Sequence, residues 1–240
     1  MRCAVVLAAL LAAGCATGRV AEARTPPDLG ARTLPVDHSA AVRYVALGDS
    51  TVEGVGATRA KFNYVSRLHE RLRAVYPAAR VTNLGVGGAT SADVLWRQVE
   101  RAIELRPHLV TLSIGPNDIT TQVGVAEYER NVDTILGRLR DETTAVVVVN
   151  LIPDLGVTPR FRKHRARDAL ARRNVSFNEA LERLGHTYGA EVVDLYTASQ
   201  REIPARRELV GRDGYHPSDV GYARWAELVW AGIEARIASR

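Results

Sequence analysis

The run Val146 to Val149 is apolar at every position, and a strand that is apolar on both faces has to be covered by other elements on both sides. Four further short runs have strand character: Tyr44 to Leu47, Arg80 to Leu84, Leu109 to Ile114 and Glu191 to Leu195, with the full fourth run spanning Ala145 to Leu151. Between them the apolar residues recur at spacings of three and four. Phe62, Val65, Leu68, Leu72 and Val75 form one such stripe, Val125, Tyr128, Val132, Ile135 and Leu139 a second, and Trp225, Leu228, Val229 and Ile233 a third. Strand alternating with helix predicts a parallel sheet with helices on both faces, a three-layer α/β/α sandwich of the doubly wound kind. In such sheets chemistry gathers beyond the carboxyl ends of the strands.

Reactive residue types stand at those ends. Gly48-Asp49-Ser50 follows the first strand, Asn83 to Gly88 (NLGVGG) the second, and Gly115-Pro116-Asn117-Asp118 the third. Far downstream, Asp213-Gly214-Tyr215-His216-Pro217 brings a carboxylate and an imidazole three positions apart, just before the last helical stripe. A serine hydroxyl is a weak nucleophile until an imidazole takes its proton and a third group fixes the imidazole's tautomer. Ser50, His216 and Asp213 supply those three types. Asp49 reads as the residue that orients the turn, because Asp and Ser are favoured helix caps. The other histidines have no such setting: His69 and His186 fall in helical patterns, His108 at a strand start, His164 in a basic run and His38 in a Pro/Gly-containing stretch.

The four blocks in this order (GDS, NxGxxG, GxND, DxxH) resemble the SGNH (GDSL-type) esterases and acyl hydrolases across residues 43–240. That resemblance implies a flavodoxin-like sheet of five parallel strands in the order 2-1-3-4-5, with the first three strand ends side by side. It implies that Ser50 carries an acyl-enzyme, that His216 is the base and Asp213 its partner, and that the Ser50 amide, Gly85 and Asn117 form the oxyanion hole. No metal and no cofactor are implied. Asn83 and Asp118 are expected to steady their loops, and Leu151 to Val157 to wall the substrate pocket. The chain departs from the pattern at Pro116, where the family often has a small residue and where a fixed φ bears on how Asn117 is aimed. The expected substrate is a small-molecule, glycan or lipid ester, and the expected state a monomer.

Two other functions fit fewer residues. A metal phosphoesterase would gather Asp49, Asn117, Asp118 and His216 around an ion, but the sequence has no D-x-H or H-x-H near a strand end. An inactive envelope-binding module would not need all four blocks. The chain lacks G-x-S-x-G, a P-loop and H-E-x-x-H, and its G-x-G-G loop after the second strand has neither the spacing nor the acidic partner of a dinucleotide site.

The N-terminus has its own pattern. Arg2 precedes an apolar stretch from Ala4 to Ala13, too short to span a bilayer and suited to a signal-peptide core. Leu11-Ala12-Ala13-Gly14-Cys15 resembles a bacterial lipoprotein cleavage box, which implies removal of residues 1–14 and lipidation of Cys15; secretory cleavage after Ala21-Glu22-Ala23 is the alternative. Residues 15–42 then form the anchor cysteine and a spacer containing Pro26, Pro27 and Pro35. The protein is thus expected in the bacterial cell envelope, held to the membrane by lipid. Of the two cysteines, Cys3 leaves with the signal, so the folded domain has no thiol for a disulfide or for catalysis. The net charge of +5 falls only to +4 with Arg2 gone. Arg160, Arg162, Lys163, Arg165, Arg167, Arg172 and Arg173 crowd one stretch, expected to be a solvated helix face. No interleaved aromatics mark a nucleic-acid site.

Overall fold

The computed structural model describes residues 32–238. The expected signal segment 1–14, Cys15 and the expected spacer up to residue 31 lie outside them. Five strands form one sheet: β1 (Arg43–Gly48), β2 (Arg80–Asn83), β3 (Leu109–Ser113), β4 (Val146–Asn150) and β5 (Glu191–Val193). All pairings are parallel and the order is β2-β1-β3-β4-β5. Each observed strand lies within one residue of the sequence reading at its start, because short runs rich in β-branched residues and bounded by loop residues favour the extended conformation.

Nine α-helices surround the sheet: α1 (Ser50–Glu53), α2 (Tyr64–Val75), α3 (Ser91–Arg97), α4 (Val99–Glu104), α5 (Pro116–Thr120), α6 (Val125–Glu142), α7 (Arg167–Thr187), α8 (Leu195–Ala205) and α9 (Asp219–Glu234), counted among the described residues. Their starts follow capping chemistry. Asn63 accepts from the Ser66 amide at 2.7 Å, so α2 begins at Tyr64 and Phe62 belongs to the preceding 3₁₀ turn. Thr90 and Asp93 form a reciprocal capping box on α3.

The period-two alternation of the strands divides the core in two. Tyr44, Ala46, Val146 and Val148 face α2 and α9, whereas Val45, Leu47, Val110, Leu112 and Val149 face α3, α4, α6 and α7. β1 and β3 are buried from Tyr44 and Leu109 onward, and β2 and β5 form the edges. The connection after β1 leads to β2 on one side while β3 lies on the other, so the direction of winding reverses at β1 and a crevice opens at its carboxyl end.

Two expectations are revised. The end of the presumed spacer is part of the domain: Leu34 is buried and bridges Ile237 in parallel, its amide donating to the Arg236 carbonyl at 2.8 Å. Arg32 donates to the Arg140 carbonyl at 2.7 Å, and the Tyr76 hydroxyl to that of Pro35 at 2.8 Å. Without periodicity the sequence of this segment carries no sign of docking, since it supplies single contacts rather than an element. The basic stretch also differs. Arg160, Arg162, Lys163 and Arg165 lie in turns ahead of α7, not on a helix face, and Arg173 reaches inward to the Val123 carbonyl at 2.6 Å.

Candidate active site

The first strand ends in a turn that only glycine can make. Gly48 has φ of +145°, and a Cβ there would lie 2.0 Å from the Ser113 carbonyl oxygen of β3. The Gln98 side chain holds this residue from both ends, accepting from its amide and donating to its carbonyl, each at 2.9 Å. Asp49 then caps α1, its Oδ1 accepting from the amide and hydroxyl of Thr51 at 2.9 Å. The cap leaves Ser50 as the first helical residue with its hydroxyl free of the turn. Asp49 is 1% exposed, and desolvation pushes its carboxyl up to about 6, against the hydrogen bonds from Thr51 that pull it down. Its Oδ2 and the Oδ1 of Asn150 are buried without a partner among the described residues.

The second half of the site is a loop. Asp213 Oδ1 accepts from the amides of Tyr215 and His216 at 2.9 and 3.0 Å, which curls the chain and sets the imidazole beside the same carboxylate. His216 Nδ1 and Asp213 Oδ2 are 2.5 Å apart, and His216 Nε2 and Ser50 Oγ 2.9 Å. Burial would raise the Asp213 carboxyl, but the bonds from His216 and the two amides outweigh it and hold it below its ordinary value. It therefore stays ionised opposite the imidazole, fixing the proton on Nδ1 and leaving Nε2 to accept from the serine.

Ties across the chain bring the two halves together. The loop closes on itself through an antiparallel bridge of Val210 with Pro217, and Ser218 caps α9 by accepting from Gly221 at 3.2 Å. Tyr222 donates to the Val55 carbonyl at 2.7 Å, and Asp219 accepts from the Thr58 amide and hydroxyl at 2.8 and 2.6 Å. The turn after α1 is thereby fastened to the start of α9. Phe161 and the Tyr215 ring meet edge to face at 5.6 Å, and the Arg160 amide donates to the Gly214 carbonyl at 2.9 Å, so the basic loop braces the catalytic one.

Asn117 lies on α5 with one side-chain N–H donated to the Ala89 carbonyl at 2.9 Å, which leaves the other for a ligand. Pro116 occupies the first position of that helix, where its missing N–H is not needed and its φ suits the turn, so it aims Asn117 rather than displacing it. Asn83 and Asp118 steady the loops: Asn83 donates to the Val52 carbonyl at 2.6 Å, and Asp118 accepts from the Ser91 hydroxyl at 2.6 Å. Asp118 is fully buried on that partner and Asp49 on Thr51, and among the described residues no three acidic, histidine or cysteine side chains are grouped so as to hold a metal ion, as the phosphoesterase alternative would need.

Gly85 differs from expectation. Its amide donates to Asn83 Oδ1 at 2.9 Å, and a Cβ would meet the Glu53 nitrogen at 2.5 Å, so its role is close packing against α1. The amide of Gly87 is also engaged, with Glu53 Oε2 at 2.6 Å. The amides of Gly88 and Ser50 have no acceptor among the described residues. Gly88 has φ of +79° with open space where a Cβ would go. It lies between Val86, bonded to the Gly48 carbonyl, and Ala89, bonded to Asn117. The motif carries three glycines and its spacing does not say which one leaves its amide free; a positive φ is the distinguishing signal, and it is a property of the fold.

Beside the triad lies a cavity of about 90 Å³ that opens to solvent. Thr51, Pro116 and His216 edge it, and Pro153 and Leu155 of the expected loop wall form one side.

A model of the GDSL-like lipase/acylhydrolase family matches residues 46–224. The chain is 26% identical over 213 residues to Esterase TesA of Pseudomonas aeruginosa, over 85% of this chain and 94% of that one. It is 22% identical over 246 residues to an acetylxylan esterase of Xylanibacter ruminicola, covering 86% of this chain and spanning about half of the relative, 46%. Among solved structures it matches an acetylxylan esterase from Geobacillus stearothermophilus with a TM-score of 0.65 at 23% identity, over 83% and 97% of the two chains. A lipase/acylhydrolase from Enterococcus faecalis matches with a TM-score of 0.66 at 24% identity, over 83% and 98%. At these identities the structural likenesses speak to the fold.

Proposed function

The chain belongs to the GDSL-like lipase/acylhydrolase family, and from that premise we propose that it hydrolyses carboxylic esters through an acyl-enzyme on Ser50. The observation that carries this reading is the continuous relay from Ser50 Oγ through His216 at 2.9 Å to Asp213 at 2.5 Å. Ser50 Oγ attacks the ester carbonyl carbon as His216 Nε2 takes its proton, and the carbonyl π electrons move onto oxygen. Collapse of that intermediate expels the alkoxide, which receives the proton from His216. A water deprotonated by His216 then repeats the attack on the acyl-enzyme and releases the acid. The oxyanion is met by the Ser50 amide, the free N–H of Asn117 and the Gly88 amide, which takes the part the sequence pattern suggested for Gly85. One such donor is typically worth about 10² to 10³ in rate.

Ser50→Ala tests the nucleophile. The loss of kcat on p-nitrophenyl esters should approach about 10⁶, with an unchanged circular dichroism spectrum, because the triad acts as a unit. A folded variant keeping more than about a tenth of the wild-type rate would remove Ser50 from the mechanism.

The same reading places the enzyme in the cell envelope, exported on residues 1–14 and anchored through lipid on Cys15. The support is the apolar run that ends at Gly14-Cys15. Two acyl chains suffice for stable anchoring where one is marginal. Cys15→Ser should therefore move the protein out of the membrane fraction or leave the precursor uncut. Mass spectrometry that finds an unmodified N-terminus at Arg24 would replace this with ordinary secretion.

A further inference from the structure

The cavity beside the triad extends away from it between the last two long helices. Ala198 and Ile203 of α8 line one flank, Trp225 and Leu228 of α9 the other, and Leu155 and Leu195 lie along its length. Its serine, threonine, glutamate and arginine side chains are already engaged, and the Tyr215 hydroxyl, at the His216 end, has no hydrogen-bond partner among the described residues. The Ser199 hydroxyl donates to the Tyr196 carbonyl at 2.7 Å and accepts from the Asp154 amide at 2.8 Å. The Thr158 hydroxyl donates to the Leu155 carbonyl at 2.6 Å, and that of Thr51 to Asp49 at 2.9 Å. Glu202 and Arg224, the charged residues of the lining, bind each other across the two helices, with Nη2 to Oε1 at 2.8 Å and Nε to Oε2 at 3.0 Å. A sugar would have to give up hydrogen bonds to water and find no free serine, threonine or charged partner here, whereas an aliphatic chain loses nothing and gains burial.

In the acyl-enzyme the acyl group remains bonded to Ser50 while the alcohol leaves and water takes its place at His216. A narrow apolar groove would hinder that exchange if the alcohol filled it, and it suits the group that does not move. We propose that the groove between α8 and α9 receives the aliphatic acyl chain of the substrate, so that this enzyme prefers esters of medium-length unbranched acids to acetyl esters, with Ala198 and Leu228 setting the chain length. The proposal rests on the esterase reading above.

The test is a p-nitrophenyl ester series from acetyl to decanoyl with the full chain, beside a series of alkyl acetates that places the chain on the alcohol. Each buried methylene is worth about a fourfold gain, so kcat/KM should rise by about that factor per methylene until the groove is full. Ala198→Trp should lower the octanoyl-to-acetyl ratio of kcat/KM by about tenfold or more, and Leu228→Ala should move the optimum to longer acids. Thermal melts identify a variant that does not fold, in which case the other variant decides. An acetyl optimum in the wild type, or a ratio unmoved by a folded Ala198→Trp and an optimum unmoved by Leu228→Ala, overturns the proposal. So does a chain-length response confined to the alkyl acetates. Absence of activity on every ester in both series would instead count against the esterase reading itself.

Discussion

The nucleophile turn and the acid–base loop hold atoms 2.9 Å apart, yet they are built by opposite means. Around Ser50 the geometry is a product of burial. Gly48 is pressed against β3, Gln98 grips its backbone, and Asp49 sits at 1% exposure with one oxygen unpartnered. Around His216 the geometry is local and open to solvent. Asp213, its side chain 42% exposed, curls its own loop by accepting two backbone amides, and the loop and the helix start behind it are tied down by the Tyr222 hydroxyl donating to Val55, by Thr58 donating to Asp219 and by Arg160 donating to Gly214. A buried turn stores its cost in folding, whereas a surface loop can lose a catalytic atom without loss of packing. The two halves should therefore fail differently when altered.

Loss of the Ser50 hydroxyl, described above, is the largest of these effects on rate and should leave stability alone. Asp213→Asn should follow, with kcat lower by about 10⁴ because the imidazole loses its correct tautomer while the base remains. Its urea-unfolding midpoint should stay near that of the wild type. A variant as active as wild type would show that another group orients His216, and a large drop in stability would erase the contrast between the two halves.

Asp49 sharpens the contrast from the buried side. Its carboxyl is pushed from 3.8 in the unfolded chain to about 6 in the fold, chiefly by desolvation, so the folded state holds a proton that the unfolded state has released. Stability from this group is complete below about 4 and is lost as pH rises to about 6, by about 3 kcal/mol. Asp49→Asn, which cannot ionise, should flatten that part of the profile. Urea unfolding of both proteins at intervals from pH 4 to pH 7 reads it, and parallel profiles would mean that Asp49 does not titrate in this window.

The same division governs how legible the molecule was in its sequence. The strands at Val146–Asn150 and Leu109–Ser113 were readable because burial on two faces admits few polar residues. The positions of Ser50, Asn117 and His216 were readable because each stands at a strand end or ahead of a helix, where backbone geometry and residue choice are local matters. The start of α2 was misplaced by two residues because Asn63 stops the apolar stripe with a cap rather than a break in period. Leu34 was read as spacer because its partner, Ile237, is at the other end of the chain.

What the sequence determined by itself was therefore the element types and the parallel layering, which follow from periodicities and turn chemistry acting over a few residues, and the presence of serine, histidine and aspartate at strand ends or ahead of a helix. Which glycine amide stays free, that Glu202 and Arg224 neutralise each other, and that the α8–α9 groove is mostly apolar were decided by the tertiary structure. Those properties depend on which donors and acceptors have already found partners, and the partners stand 2 to 45 residues or more apart in the chain. Hydrogen-bond availability is what remains after folding, and it is not a property of any residue alone.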